Sequence, residues 1–293
     1  MNLGLIRRAA LLAAPILTAV AMLAPAPASA SGEEVALDAF PTEKLNDRAA
    51  LQHGAQLFVN YCLGCHSLKA VRYNRLKDLG LTDQQIKDNL MFTGQKVGDM
   101  MTIAMQPANA KDWFGALPPD LSVEARARSS GAGSGADWIY TFLRTFYRDN
   151  GRATGWNNVV FPNVGMPNPF WALQGTRPLV VTDIKGEGDG HGGALTQTVT
   201  HYGADGMVTV SEGKPSSEHP HIGRHFEFEP AVGGTLNRLQ FDDTVADLTA
   251  FLTYVSDPSA KTRIALGVWV LIFLAVLFTI ALWLNRTYWK DIK

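Results

Sequence analysis

The sequence predicts a mainly α-helical domain with irregular loops and a small β-hairpin insert, followed by one C-terminal transmembrane helix. Three observations indicate this fold class. Apolar residues recur at helical spacing in several segments, apolar and polar residues alternate near residues 194–212, and residues 264–284 carry no charge. The composition of the 293-residue chain, with two cysteines and a net charge of −1, excludes a disulfide scaffold and a strongly basic nucleic-acid-binding protein.

The N-terminus has the three parts of a secretory signal peptide. Arg7 and Arg8 precede an apolar run over residues 9–23, and the small residues Ala28-Ser29-Ala30 form a cleavage site. We therefore predict that residues 1–30 are removed and that the chain is exported in a bacterium. A mitochondrial transit peptide would be amphipathic and richer in arginine and serine, and two prolines near the end of the segment argue against a retained anchor.

The most informative motif is Cys62-Leu63-Gly64-Cys65-His66. A CxxCH sequence is typical of covalent c-type haem attachment, in which each thiol adds to one vinyl group and the adjacent histidine becomes the proximal iron ligand. In an exported domain, a disulfide and a thioredoxin-like redox pair are the alternatives. Zinc is disfavoured because the sequence has no second Cys/His pair with finger spacing.

The residues before this motif predict a helix. Leu51, Ala55, Phe58 and Cys62 are spaced four, three and four residues apart, which places them on one apolar face. We expect that face to lie against the macrocycle.

The six methionines of the exported region are candidates for the sixth iron ligand. A thioether ligand favours electron transfer over oxygen chemistry. Met166 is the strongest candidate. Gly165 permits close approach of the chain to a flat ligand, and Pro167 fixes the backbone on the other side. The alternatives are three methionines on a predicted helix over residues 98–105, where packing in a core is the commoner role: Met100, Met101 and Met105.

A loop containing Pro118 and Pro119 precedes a predicted short helix. Asp120 and Ser122 are the candidate N-caps of that helix. Arginine forms bidentate hydrogen bonds with carboxylates, so an arginine in the helix is a candidate partner for a haem propionate, with a solvated side chain as the alternative. The two candidates are Arg126 and Arg128.

Three further segments complete the helical part. Residues 129–135 are Ser, Gly and Ala only and predict a short flexible link. Residues 137–147 lack a full polar face and predict a buried helix. Residues 242–256 predict an amphipathic helix that ends before Pro258.

Residues 180–228 depart from a compact helical domain. Residues 194–202 and 207–212 alternate around a glycine-containing turn, which predicts a hairpin, and residues 186–193 and 215–220 predict flexible loops. Five of the seven histidines fall in this insert. A metal site is one interpretation; without a nearby carboxylate or cysteine pattern, solvated loop histidines or a subunit contact are favoured.

Residues 264–284 are 21 uncharged residues, enough at ~1.5 Å per residue to cross a ~30 Å hydrocarbon core. A buried core helix is the alternative. Because basic residues flank both ends, the export signal decides the topology: residues 31–260 lie outside and the tail, residues 285–293, lies in the cytoplasm.

The exported segment is acidic. Residues 31–260 hold 26 of the 27 acidic and 19 of the 26 basic residues, so their net charge is 19 − 26 = −7. Such a charge suits docking of a basic partner, although solubility alone also explains it.

These motifs, in this order, resemble the cytochrome c1 family, the haem subunits of ubiquinol–cytochrome c oxidoreductase (cytochrome bc1) complexes. The resemblance covers most of the exported domain and the anchor. It is carried by the CxxCH motif with Tyr61 and Ser67-Leu68, by the Gly115-Ala-Leu-Pro-Pro-Asp-Leu-Ser122 loop with Arg126-Ala-Arg128, by Asp242-Asp243 at the start of the last helix, and by the terminal anchor.

The resemblance implies a cytochrome c-like haem domain with one covalently attached haem c. It implies roles for seven residues: Cys62 and Cys65 as attachment points, His66 as proximal and Met166 as distal iron ligand, Arg128 as propionate partner, and Pro118 and Pro119 in the loop around the haem. One departure stands out, since many members have Ala-Pro-Pro after the methionine where this chain has Pro-Asn-Pro.

The resemblance also implies the biological setting. The chain would pass electrons from the Rieske iron–sulfur protein to a soluble cytochrome c, beside cytochrome b in a dimeric complex of the bacterial inner membrane, with its haem domain in the periplasm. It would be one electron-transfer subunit and not catalytic on its own. The alternatives are an anchored monohaem cytochrome c that serves another oxidase or reductase, and a haem enzyme with an open iron position.

Overall fold

The computed structural model describes residues 35–186, 195–215 and 221–290. The predicted signal peptide, residues 1–30, lies outside the described residues. The helices are α1 (Arg48–Leu57), α2 (Asp83–Asn89), α3 (Pro107–Phe114), α4 (Glu124–Ala127), α5 (Gly135–Arg144), α6 (Trp171–Gln174), α7 (Arg238–Ser256) and α8 (Ala260–Tyr288), with 3₁₀ turns at Thr42–Asn46 and Tyr73–Leu79. The strands are β1 (Leu68–Arg72), β2 (Met100–Met101), β3 (Phe146–Arg148), β4 (Trp156–Asn158), β5 (Leu179–Gly186), β6 (Leu195–Tyr202), β7 (Val208–Gly213) and β8 (Gly223–Phe228).

The core is built on the packing of α1 against α7. Leu51, Ala55 and Phe58 are buried, and the Phe58 ring centroid lies 5.9 Å from that of Phe251 on α7. The expectation that these three residues face a macrocycle is wrong, because periodicity identifies a buried face but not its partner. Only Cys62, at the end of the same face, borders the cavity described below.

The helix predicted at residues 242–256 is confirmed and begins four residues earlier. Asn237 precedes it and accepts a hydrogen bond from the Gln240 backbone N–H at 3.0 Å, while the Gln240 side chain accepts one from the Asn237 backbone N–H at 3.1 Å. This capping box stabilises the additional first turn. Val245 and Leu248 of this helix are fully buried.

The segment predicted to be a flexible link is an ordered turn. The Gly135 N–H donates to Ser129 Oγ at 3.0 Å, and the Ser130 N–H donates to the Gly133 carbonyl at 3.0 Å. Ser134 then caps α5 in a capping box with the third residue of that helix. The small residues are therefore used for a tight turn and a helix start, not for flexibility.

The buried helix predicted at residues 137–147 ends at Arg144, because Phe146–Arg148 pairs with β4. The buried Arg144 guanidinium joins three parts of the domain. It donates two hydrogen bonds to Asp242 on α7, at 2.7 and 3.0 Å, and one to Asp38 at 2.6 Å. It also lies 4.3 Å from the ring centroid of Tyr140.

The helix predicted over residues 98–105 is wrong. Met100–Met101 forms β2, which pairs antiparallel with β1 so that Met101 lies opposite Leu68. Both of these side chains are fully buried. A short apolar run at helical spacing also fits a strand, and here the burial of Met101 against the core decides the conformation.

The insert forms a four-stranded antiparallel sheet in the order β7-β6-β5-β8. β6 and β7 are antiparallel neighbours, with Tyr202 opposite Val208, and β5 and β8 extend the sheet beyond the two strands predicted. Leu179, at the start of β5, packs with Tyr147 and joins the sheet to the helical domain. The predicted loops at residues 186–193 and 215–220 lie outside the described residues except for Gly186 and Pro215.

α8 contains the whole uncharged segment and is, among the described helices, the one long and apolar enough to cross a membrane. None of its residues is buried, which contradicts the alternative of a buried core helix. At the junction with α7, Asp257 accepts hydrogen bonds from Arg263 of α8 at 2.5 and 3.0 Å and from Arg126 of α4 at 3.2 Å. These ion pairs join α8, the candidate membrane helix, to α4, which borders the cavity described below.

Candidate functional site

A cavity of about 370 Å³ lies between the CxxCH motif, the proline loop, α4, α5, the 161–167 loop and α7. Its walls are mainly apolar. All seven residues predicted for the site line it: Cys62, Cys65, His66, Pro118, Pro119, Arg128 and Met166.

The end of α1 delivers the CxxCH residues to the cavity. α1 continues into one π-helical turn, Phe58–Cys62. The Cys65 and His66 N–H groups then both donate to the Cys62 carbonyl, at 3.0 and 2.8 Å. This tight turn brings two thiols and an imidazole to one end of the cavity, as haem attachment requires.

Both cysteines are free thiols, which excludes an intrachain disulfide between them in this structure. Cys62 is buried and Cys65 is exposed. Burial, with a smaller contribution from Cys65, raises the pKa of the Cys62 thiol to about 12. A thiol that stays protonated is a poor redox nucleophile, so the geometry disfavours the thioredoxin-like alternative.

The His66 ring is oriented by the proline loop. Its Nδ1 lies 2.7 Å from the Pro119 carbonyl oxygen. Since a carbonyl only accepts, Nδ1 carries the proton, and Nε2 is left as the nitrogen available to a metal. Burial lowers the pKa of His66, against the opposing effects of the Pro119 hydrogen bond and of Glu124 and Asp120, so the imidazole is neutral at pH 7.

The proline loop is tied to the segment after the motif, and its expected N-caps have a different role. Asp120 accepts a hydrogen bond from the Lys69 N–H at 2.8 Å. Ser122 Oγ accepts one from the Ala70 N–H at 3.0 Å. Neither side chain caps α4, whose first residue follows Val123 without a side-chain cap; both hold the loop beside the haem motif.

Met166 is half-buried at the cavity wall, and none of Met100, Met101 and Met105 lines it. The backbone around Met166 is held by buried asparagines that sequence reasoning missed. Asn157 Oδ1 accepts a hydrogen bond from the Asn163 N–H at 2.8 Å, and Asn158 Oδ1 accepts from the Phe161 N–H at 3.1 Å.

The structure separates the two candidate arginines. Arg126 is exposed, pairs with Asp257 and does not line the cavity. Arg128 lines it, with its guanidinium carbon 4.3 Å from the ring centroid of Trp138. Its Nε donates to Glu124 Oε1 at 2.6 Å.

Sequence reasoning missed much of the apolar wall. α5 supplies Trp138, Ile139, Phe142 and Leu143, and α7 supplies Leu252. The i, i+4 spacing of Trp138 and Phe142, whose rings are stacked with centroids 4.9 Å apart, could have indicated a shared face. The wall that α7 contributes could not have been located from local sequence.

The histidines of the insert do not form a metal centre in the described part of the chain, where no group of three or more metal-ligating side chains occurs. His201 lies 3.3 Å from Glu229, and the His225 ring lies 3.0 Å from the His221 carbonyl. His191 and His219 lie outside the described residues.

The residues of the cavity fit a covalently attached haem. Two free thiols, an imidazole with Nε2 available, a thioether and an arginine border one apolar space. A model of the family described as Cytochrome C1 family matches residues 40–215 and 236–292. The chain belongs to the cytochrome c1 family.

Individual relatives cover most of the chain. It is 38% identical over 271 residues to the ammonia monooxygenase gamma subunit of Nitrosomonas europaea, covering 92% of this chain and 95% of that protein. It is 38% identical over 278 residues to cytochrome c1 of Allochromatium vinosum, covering 94% and 98%. Cytochrome c1 of Rhodospirillum rubrum is 26% identical over 273 residues, covering 84% and 83%.

Membership in the cytochrome c1 family identifies the cofactor and the general role. Proteins of this family carry one covalently bound haem c and act in respiratory electron transport. The C-terminal helix α8 is the candidate membrane anchor.

Proposed function

We propose that this protein is the anchored haem subunit of a bacterial cytochrome bc1 complex and that it passes single electrons from the Rieske iron–sulfur protein to a soluble cytochrome c. The observation that carries the proposal is the cavity in which two thiols, one imidazole and one thioether meet. In this proposal cytochrome b is the membrane partner and the complex is a dimer.

The haem would be held by four side chains. Cys62 and Cys65 form the thioether bonds, His66 is the proximal ligand and Met166 the distal ligand. When bound, the haem supplies a one-electron couple between ferric and ferrous iron. The chain keeps the ligand geometry fixed: Pro119 holds the His66 ring through Nδ1, and the buried asparagines hold the Met166 loop.

Arg128 would bind a haem propionate, and Pro118 and Pro119 would cover the haem edge from the loop. A guanidinium has five N–H donors and can therefore bind more than one carboxylate. Glu124 occupies Nε alone, so the terminal amines remain for a second carboxylate.

The proposed topology rests on two segments, the signal peptide pattern at residues 1–30 and the apolar helix α8. Residues 1–30 direct export and are removed, residues 31–260 lie in the periplasm, residues 264–284 cross the inner membrane, and residues 285–293 lie in the cytoplasm. The Asp257 ion pairs with Arg263 and Arg126 keep the haem domain close to the membrane surface. A domain held in this way cannot diffuse to its electron donor, so the donor must move to it.

Replacing Met166 with leucine tests the distal ligand. We expect the midpoint potential of the haem to fall on the order of 0.1 V, because a thioether ligand raises the potential and axial ligands set it over a range of about 0.8 V. The measurement is a redox titration of the visible spectrum of the purified protein. The low-spin spectrum should change as well, since one strong ligand is lost.

The matched control is Met100→Leu, because Met100 is half-buried but does not line the cavity. The potential of this variant should equal that of the parent protein. An unchanged spectrum and potential in Met166→Leu would exclude Met166 as a ligand and favour a haem enzyme with an open iron position.

Docking of the acceptor is tested by ionic strength. The −7 charge of residues 31–260 should attract a basic cytochrome c, so the second-order rate of its reduction should fall about tenfold between low and 0.2 M salt. Stopped-flow measurement with the reduced complex gives this rate. A rate independent of salt would remove the electrostatic part of the proposal.

The Nitrosomonas relative favours one second candidate, because its name assigns it to an ammonia monooxygenase. In that case the chain would be an anchored monohaem cytochrome c that serves another oxidase or reductase. Purification in mild detergent distinguishes the two proposals. Cytochrome b should copurify with the chain if it belongs to a cytochrome bc1 complex, and should be absent if the chain serves another oxidase or reductase.

A further inference from the structure

Glu124 and Arg128 form an ion pair in the wall of the haem cavity. Glu124 Oε1 accepts a hydrogen bond from Arg128 Nε at 2.6 Å, and the Glu124 side chain is only 13% exposed. Among the described residues that line the cavity, these two are the only acidic and the only Lys or Arg side chain. No motif in the sequence singled out Glu124.

The Arg128 guanidinium is held on two sides. The Trp138 ring lies 4.3 Å from the guanidinium carbon and restricts movement perpendicular to the ring. Glu124 holds the Nε edge, since the two residues lie one turn apart on α4 and its C-cap. Within the described part of the chain Arg128 has no other side-chain hydrogen bond, so its terminal amines are available to a carboxylate from the cavity.

We propose that Glu124 is a positioning residue, which orients Arg128 toward a haem propionate and lowers the redox potential of the haem through its own negative charge. This inference rests on the proposed haem ligation. Ferric haem carries one more positive charge than ferrous haem, so a nearby carboxylate stabilises the ferric form. The effect is substantial because the carboxylate is mostly buried in an apolar wall, where solvent screens it little.

The two partners act on the haem in opposite directions. Arg128 neutralises a propionate and raises the potential, whereas Glu124 neutralises part of the Arg128 charge. The carboxylate thus sets how much positive charge the haem experiences from this wall.

Glu124→Gln tests the charge, because glutamine keeps the size and an oxygen that can accept from Arg128 Nε. We expect the ratio of ferrous to ferric haem at a fixed applied potential to rise several-fold, up to about tenfold, which corresponds to about 59 mV for a one-electron couple. Glu124→Asp keeps the charge and should shift the ratio much less. Glu212→Gln, on exposed β7 and outside the cavity lining, is the matched control and should cause no shift.

The positioning is tested by comparing Glu124→Leu with Glu124→Gln. Both variants remove the charge, but leucine also removes the acceptor of the Arg128 Nε hydrogen bond, so the ferrous fraction of Glu124→Leu should be lower than that of Glu124→Gln because Arg128 no longer faces the propionate. In an Arg128→Gln background the two variants should give equal ferrous fractions. Equal fractions already in the parent background would overturn the positioning role.

Two results separate this inference from the proposed function. If the parent protein carries covalent haem but Glu124→Gln gives no rise in the ferrous fraction beyond that of Glu212→Gln, the inference fails and the proposed function stands. If the parent protein carries no covalent haem, the proposed function fails and this inference fails with it.

Discussion

Replacing both Cys62 and Cys65 with serine is expected to abolish covalent haem attachment completely. The two cysteines are the only ones in the chain, so no other thiol can form a thioether bond. Both line the cavity as free thiols beside His66. Peroxidase staining for haem after denaturing electrophoresis measures the covalent fraction, which should fall from full occupancy to none.

The control for this experiment is Tyr61→Phe, which leaves the CxxCH residues and the aromatic ring in place. Tyr61 is 39% exposed, and its ring centroid lies 5.0 Å from that of Phe170, a packing that phenylalanine preserves. This variant should keep its full haem content. Haem that survives denaturation in the double serine variant would show that the attachment chemistry is not the one proposed.

The parts of the site that could be predicted from the sequence are those built by neighbouring residues. Cys62, Cys65 and His66 lie within five positions, so their proximity follows from one turn of backbone. Met166 was indicated by Gly165 and Pro167 beside it. In each case the chemistry and the geometry are encoded in the same short segment.

The contacts that could not be predicted join distant segments through backbone N–H and C=O groups, which do not depend on residue type. The hydrogen bond from His66 is accepted by a backbone carbonyl 53 positions away, at Pro119, and residue type gives no signal for such an acceptor. The same holds for Asp120 and Ser122. Their side chains suit a helix cap, yet they bind backbone N–H groups beside the haem motif.

Periodicity has a related limit. The spacing of Leu51, Ala55 and Phe58 correctly indicates that they share a buried face, but both a helix and a macrocycle are apolar partners. For residues 98–105 the pattern was too short to distinguish helix from strand, and pairing of Met101 with Leu68 determined the outcome. Tertiary contacts therefore decide what covers each apolar face.

α1 and α7 pack in close contact at Gly54, and this contact fixes the position of the haem motif that follows α1. A Cβ atom at this position would overlap the Asp247 carbonyl oxygen and would lie only 2.7 Å from Phe251 Cβ. Both atoms belong to the tightly packed helix α7, so an added methyl group would force α1 and α7 apart. Phe58, one turn after Gly54, would then lose its packing on Phe251.

We therefore expect the overlap in Gly54→Ala to cost on the order of 3 kcal/mol, against a helix-propensity gain of about 1 kcal/mol from replacing glycine, so that the domain loses about 2 kcal/mol of stability. The melting temperature should fall by about 4–8 °C, given 2–4 °C per kcal/mol for a domain of this size. Thermal unfolding of the purified protein, followed by circular dichroism, measures the change.

Gly213→Ala is the matched control, because no heavy atom lies within 4 Å of its added Cβ. Its melting temperature should match that of the parent protein. If Gly54→Ala melted as high as this control, α1 and α7 would have room to spare at their crossing, and the fixed position of the CxxCH motif would need another explanation.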